Sequence, residues 1–526
     1  MTAGTDQSLA GDLPDDTPPE VRERATRPGR VPETDPTLGI PVAKTSHRET
    51  PSERLVVLGD SLTQGMRSAA VHDDELSFAA ILARQIGFDG FRAPAYPGFG
   101  GLPANIEYLL RTLEDEFGPT FSAWEVPPAA VRLHSLLAEI QRFWERGPGI
   151  VPPPPGPPPH TLAVLGWDLR DILARTFDIN LAQARASRHQ LLAPIVENAG
   201  PIAALRIYPH GDAEERSRAL PTVAQDSGEI ETLVVMLGSN NALGAMIDLR
   251  VTWSADADFQ DLVRKNAATV WRPEHFRAEY DLLVEQVRRV RARHVVLATV
   301  PHVTIPPIAR GVGGKRAPGS AYFRYYTRPW IDDERFEVDR DPHVTGAQAQ
   351  AVDTAIDLYN EHLTEVVRAA RDRGEDWYLF DLCGLLDRLA WRRYIDDPDS
   401  RPDWWTEYPL PAPVAALDPK PDTRFLHGDR RGGRAQGGIF SLDGIHPTVV
   451  SYGIIAQELG HVLQRAGVEF RSPDVDFDDL IARDSLIRTP PQSITSALDV
   501  IGWLDEAADL LVGLWPFRSL DRPPGR

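Results

Sequence analysis

Two short stretches of this chain carry the residue types of acyl-transfer chemistry. The first, Leu55-Val56-Val57-Leu58-Gly59-Asp60-Ser61-Leu62-Thr63-Gln64-Gly65, is an apolar run that breaks into a glycine-flanked turn around a serine. The second, Ser441-Leu442-Asp443-Gly444-Ile445-His446-Pro447, sets a carboxylate three positions before an imidazole. A serine hydroxyl is a poor nucleophile until a neighbouring base removes its proton. Ser61 is therefore the candidate nucleophile and His446 the candidate base. Asp443 is the carboxylate that would fix the imidazole tautomer and stabilise its charged form. Pro447 pins the turn at the start of a following helix.

Acyl transfer also needs hydrogen-bond donors where negative charge develops. Two further apolar runs end in such donors. Leu162-Ala163-Val164-Leu165-Gly166 offers the Gly166 N–H, and Val234-Val235-Met236-Leu237-Gly238-Ser239-Asn240 offers the Asn240 side-chain amide. With the N–H of Ser61 they make a candidate oxyanion hole. Gly98, in the turn-rich stretch Tyr96 to Pro103, competes with Gly166 for that place or lines an acyl pocket instead.

These residues need a scaffold that brings strand ends together. Five short apolar runs read as buried parallel strands: Leu55 to Leu58, Leu162 to Leu165, Leu233 to Leu237, Val295 to Val300 and Trp377 to Phe380. Amphipathic stretches such as Phe276 to Val290 and Ala347 to Ala369 lie between them. The alternation predicts a doubly wound α/β domain over residues 51–470, which places ligands at the carboxyl ends of its strands. Long insertions near 97–160, 301–346 and 390–438 interrupt it. The first holds a helical segment, Pro128 to Arg146, and a polyproline spacer, Pro152 to Pro159. The others are rich in aromatics (Tyr322 to Trp330, Trp391 to Tyr408) and predict a lid over an apolar pocket. Residues 1–50 are polar and Pro-rich and predict a disordered leader. Residues 471–526 form an extension with an amphipathic helix from Ile494 to Trp515.

Composition narrows the function classes. The net charge of -20 argues against a nucleic-acid partner and against adhesion to anionic lipid. No apolar run is long enough to span a membrane, and the N-terminus has no secretory pattern, so a cytoplasmic location is expected. The single cysteine, Cys383, excludes an intramolecular disulfide and a cysteine-cluster metal site. His302, His343, His427 and His461 lack metal-ligand spacing, so neither metal nor other cofactor is expected.

The four blocks together resemble the SGNH (GDSL-type) hydrolases, whose blocks contribute Ser, Gly, Asn and His. The match runs Gly59-Asp60-Ser61-Leu62, Gly166, Gly238-Ser239-Asn240 and Asp443-Gly444-Ile445-His446-Pro447, within residues 54–465. Thr299-Val300-Pro301 and Asp381 resemble the family as well. Asn241 and His160 depart from it, standing where many members carry Asp and Asn. The resemblance implies a flavodoxin-like, five-stranded parallel sheet of order 2-1-3-4-5. It implies Ser61, His446 and Asp443 as catalytic residues, with Ser61, Gly166 and Asn240 as the oxyanion hole. The expected activity is hydrolysis of carboxylic esters of small molecules or lipids through an acyl-enzyme on Ser61. A carbohydrate O-deacetylase, an acyltransferase and a non-catalytic binding scaffold are the alternatives. Acyl chain, alcohol and oligomeric state stay open.

Overall fold

The computed structural model of the protein describes residues 5–43, 49–72, 74–120, 124–186 and 196–493. At its centre is a five-stranded, all-parallel sheet: β1 (Glu53–Gly59), β2 (Thr161–Ala163), β3 (Glu229–Met236), β4 (Arg291–Ala298) and β5 (Trp377–Phe380). The spatial order is β2-β1-β3-β4-β5. Gly59 pairs with Ala163 on one side and Met236 on the other, and Ala298 pairs with Phe380. The short strands inside the insertions pair among themselves and leave this sheet undisturbed.

The period-2 pleat divides each strand between two cores. Leu55 and Val57 face one layer with Phe78, Leu82, Tyr452 and Leu459, on the helices Phe78–Gln85 and Val449–Ala466. Val56 and Leu58 face the other with Phe276, Leu283, Val352 and Leu363, on the helices Pro273–Val287 and Gly346–Asp372. Both faces are dry, which is why the strands read as continuous apolar runs. The strands β3 and β4 begin earlier than those runs, because the polar residues Glu229 and Arg291 extend the ladder toward solvent.

The reading of residues 1–50 as a disordered leader is corrected over 5–43. Leu13, Val21 and Ala25 join the core, and Arg24 pairs with Glu361 at 2.6 Å. Arg30 pairs with Asp381 at 2.8 Å, and the carbonyl of Pro36 accepts from the N–H of Leu379 at 3.0 Å. The leader thus covers the edge strand β5, an edge that would otherwise offer unpaired backbone. Averaged composition hides this, since its partners lie some three hundred residues away and its few apolar residues bury only against them.

The insertions are structured too. Residues 97–160 carry two α-helices, Ile106–Phe117 and Val126–Arg146, and Pro152 to Pro159 form no regular element. Residues 301–346 hold a three-stranded antiparallel sheet: Arg310–Lys315, Phe323–Thr327 and Val344–Thr345. The chain past position 470 packs back on the domain: Phe477 and Leu480 pack on Gly453, and the N–H groups of Arg471 and Ser472 donate to the carbonyl of Gln85. The amphipathic helix expected from Ile494 to Trp515 lies outside the described residues. No helix among the described residues is long and apolar enough to cross a membrane.

Candidate active site

Strand β1 ends at Gly59, and the chain turns at once into a single helical turn, Ser61–Gln64. A methyl group at Gly59 would overlap Thr63 Oγ1 and the carbonyl of Met236, so only glycine lets the turn fold back so tightly. Asp60 caps it, its Oδ1 accepting from the N–H of Leu62 at 3.1 Å. Ser61 is left at the carboxyl end of the sheet.

The second block approaches from the other end of the chain. Its loop closes through the Ser441 N–H and the His446 carbonyl at 2.7 Å, ahead of the helix Val449–Ala466. Asp443 Oδ1 accepts from the N–H groups of Ile445 and His446, each at 2.8 Å. Asp443 Oδ2 lies 2.9 Å from His446 Nδ1 and accepts from the N–H of Ala69 at 2.7 Å. His446 Nε2 then lies 2.9 Å from Ser61 Oγ. The carboxylate holds the proton on Nδ1 and leaves Nε2 to accept from the hydroxyl. Ser61, Asp443 and His446 thus form one relay, each 4% exposed or less.

Burial pushes the Asp443 carboxyl upward. The charge of His446 and the hydrogen bonds from His446 and Ala69 outweigh that, and the group ends below the ordinary carboxylate range. The Ala69 bond comes from an unusual turn. Ser68 and Ala69 both adopt left-handed backbone, with φ of 49° and 60°, a conformation that costs non-glycine residues about 1–2 kcal/mol each. It aims two successive N–H groups at the second block, Ser68 to Ser441 Oγ at 2.8 Å and Ala69 to Asp443. Nothing in the sequence marks Ser68 and Ala69, which carry no glycine, asparagine or aspartate.

Asn240 opens a helix, Asn240–Ile247, directly after β3, and lines the same cavity as Ser61 and His446. One hydrogen of its Nδ2 goes to the carbonyl of Trp167 at 2.8 Å. That bond fixes the amide and leaves the second hydrogen for another acceptor. Gly166, at φ 75°, sits in the turn just before Trp167 but is not among the residues that line the cavity. The turn is anchored at both ends. Leu165 N–H donates to Gln64 Oε1 at 2.8 Å, and the buried Lys265 Nζ donates to Asp168 and Asp171 at 2.6 and 2.9 Å. Burial, then the neighbouring Asp171, pushes the Asp168 carboxyl upward. Gly98 belongs elsewhere, packed under Phe143 and Trp144.

The cavity beside Ser61 has a volume of about 100 Å³ and an apolar wall that includes Leu382, Leu385, Leu389, Ile439, Ile445 and Ile454. The predicted aromatic lid is not part of it. Residues 322–330 and 391–408 contribute none of its wall, and the aromatic insertions pack around a second cavity instead.

Asp60 also borders the cavity, with Oδ2 buried and, among the described residues, lacking a hydrogen-bond partner. Burial pushes its carboxyl up to about 7. A carboxyl raised in the folded state binds its proton more tightly there than in the unfolded chain. Its contribution is therefore intact below about pH 4 and is lost as pH rises through 7. At about 1.4 kcal/mol per unit, roughly 4 kcal/mol is at stake. Asp60→Asn, which does not titrate, should gain thermal stability relative to wild type as pH goes from 5 to 8. A difference in melting temperature that does not change with pH would refute this.

Among the described residues, two groups bring possible metal ligands within 4.8 Å of one another: His302, Cys383 and Asp387, and Asp256, Glu274 and His275. Spacing along the sequence did not reveal the first. Both nitrogens of its histidine are already committed, Nδ1 to Asp387 at 2.8 Å and Nε2 to Asp357 at 3.2 Å. Arg24 and Arg393 flank these carboxylates, so the cluster balances its charge among its own side chains. No protein-family model matches this chain, and no curated protein or solved structure matches it either.

Proposed function

We propose that this protein is a serine ester hydrolase of the SGNH type, acting on carboxylic esters with an apolar acyl group. The observation that carries the reading is the relay from Asp443 through His446 to Ser61, 2.9 Å at each step, opening on an apolar cavity. The order of the five core strands supports a flavodoxin-like arrangement, with Ser61 following β1 at the sheet's carboxyl edge.

In this reading Ser61 Oγ attacks the ester carbonyl as His446 Nε2 takes its proton, and Asp443 stabilises the resulting imidazolium. The oxyanion accepts from the Ser61 N–H, in the first turn of a helix where backbone donors lack intrahelical partners. The free hydrogen of Asn240 Nδ2 and the Gly166 N–H complete the set. His446 then protonates the departing alkoxide and later activates the water that releases the acyl group. Asn240→Ala should lower kcat about a hundred- to a thousand-fold with little change in KM.

The wall of the cavity favours an acyl chain over a sugar, since the aromatic insertions that would stack on a sugar ring lie away from Ser61. The test is a fluorophosphonate probe on the intact protein, with the label located by peptide mass spectrometry, beside p-nitrophenyl esters from acetyl to palmitoyl. Labelling is expected at Ser61. Each added methylene should raise kcat/KM about fourfold until the cavity fills, following ~0.8 kcal/mol per buried methylene. A strict acetyl preference would favour the O-deacetylase, and transfer to added alcohols in place of hydrolysis would favour the acyltransferase. Absence of any labelling would leave only the binding scaffold.

A further inference from the structure

The aromatic insertions enclose a second cavity of about 200 Å³, between the sheet of residues 310–345 and the segments around 390–393 and 423–436. Its composition runs against the rest of the chain. In a protein of net charge -20, its wall carries Arg310, Arg392, Arg393, Arg424 and His427 and, among the described residues, not one carboxylate. Two of the arginines are neutralised from behind: Arg393 by Asp353, and Arg424 by both oxygens of Asp422.

Arg310 and Arg392 are not. Among the described residues neither has a carboxylate within 4.0 Å, and the Nε of Arg310 is buried without a hydrogen-bond partner. Arg392 lies over the ring of Phe323 at 4.6 Å, in the field of Arg310, which Asp333 and Asp396 oppose. Desolvation, then the field of Arg310, holds the Arg392 guanidinium below its usual value, and burial with Arg310 and Arg424 does the same to His427. Like charges gathered in a half-buried space are unfavourable unless an anion joins them. Guanidinium forks match the paired oxygens of carboxylates and phosphates. Around them Phe323, Tyr326, Trp391 and Phe425 offer flat apolar walls.

We propose that this cavity is a second binding site, for a small organic oxyanion whose carboxylate or phosphate head is held by Arg310 and Arg392 and whose flat apolar body rests on the aromatic walls. No member of the Ser61 relay lines it, so the proposal stands apart from the hydrolase reading.

The test is calorimetric titration of the full chain with phenyl phosphate, benzoate, inorganic phosphate and neutral benzyl alcohol. Saturable binding is expected for phenyl phosphate or benzoate, weaker as salt rises, unchanged in Ser61→Ala and absent for benzyl alcohol. Arg310→Gln and Arg392→Gln should each weaken it at least tenfold, and the ligand-free Arg392→Gln protein should melt no lower than wild type. Should these variants fail to fold, phenylglyoxal modification of the wild type serves instead: the ligand should slow reaction at Arg310 and Arg392 at least fivefold. Either head group binding alone would tell carboxylate from phosphate as the natural chemistry. Failure of all three anions to bind, equal affinity in both arginine variants, or no protection from phenylglyoxal would overturn the proposal. Inorganic phosphate binding as tightly as phenyl phosphate would overturn the organic body.

Discussion

Replacing Ser61 by alanine should leave a folded protein whose turnover of p-nitrophenyl esters falls about a million-fold. That is the scale on which removal of the nucleophile or base disables serine hydrolases generally. Ser61 Oγ faces His446 Nε2 at 2.9 Å and the cavity, so its loss removes one hydrogen bond from the folded state. Such a bond contributes about 0.5–1.5 kcal/mol, too little to unfold a domain with two large cores. The measurement is kcat beside a thermal melt on the same preparation. Near-normal turnover by a folded Ser61→Ala protein would place the chemistry elsewhere.

Asp443→Asn should cost about 10⁴-fold in kcat, the loss expected when the imidazole is held in the wrong tautomer. Asparagine can still accept from Ile445 and His446 through one oxygen. Its amide nitrogen, however, would face two donors, the Ala69 N–H and the imidazole Nδ1–H. His446 must then move its proton to Nε2, where it can no longer accept from Ser61. The same mismatch strands the Ala69 N–H in a turn already in left-handed backbone, a further cost of about 1–3 kcal/mol. The pH dependence has the opposite sign to that of Asp60. Asp443 is held below its ordinary value, so its stabilisation is present above about pH 4 and lost as pH falls through the folded value. The stability gap between Asp443→Asn and wild type should therefore narrow on acidification. A variant with near-normal turnover, or a gap that widens in acid, would contradict this assignment.

Ser61 and Asn240 are legible in the sequence because each follows an apolar strand run and opens a helix, Asp443 and His446 because their spacing falls just ahead of one, and acyl chemistry demands few residue types at such places. The five core strands were legible for a related reason: burial on both faces leaves an uninterrupted apolar signature. What escaped is what depends on distant partners. Ser68 and Ala69 matter through backbone geometry that their side chains do not announce. Arg24 and Arg30 read as the charges of a solvated leader until Glu361 and Asp381 are placed beside them. The aromatics of the insertions were assigned to the wrong cavity, since aromatic content says that a wall exists and not which space it encloses. Gly166 lies in the turn after β2, outside the wall of the cavity beside Ser61.

The docking of the leader on β5 also constrains how the chain can be made. Residues 5–43 leave the ribosome long before Phe380 does. At ~5–20 residues per second they wait roughly 15 to 70 s for the surface they cover. During that interval Arg24 and Arg30 lack Glu361 and Asp381, and nascent β1 and β3 can pair without them. Residues 5–43 can therefore dock only once β5 and the helix Gly346–Asp372 have been made.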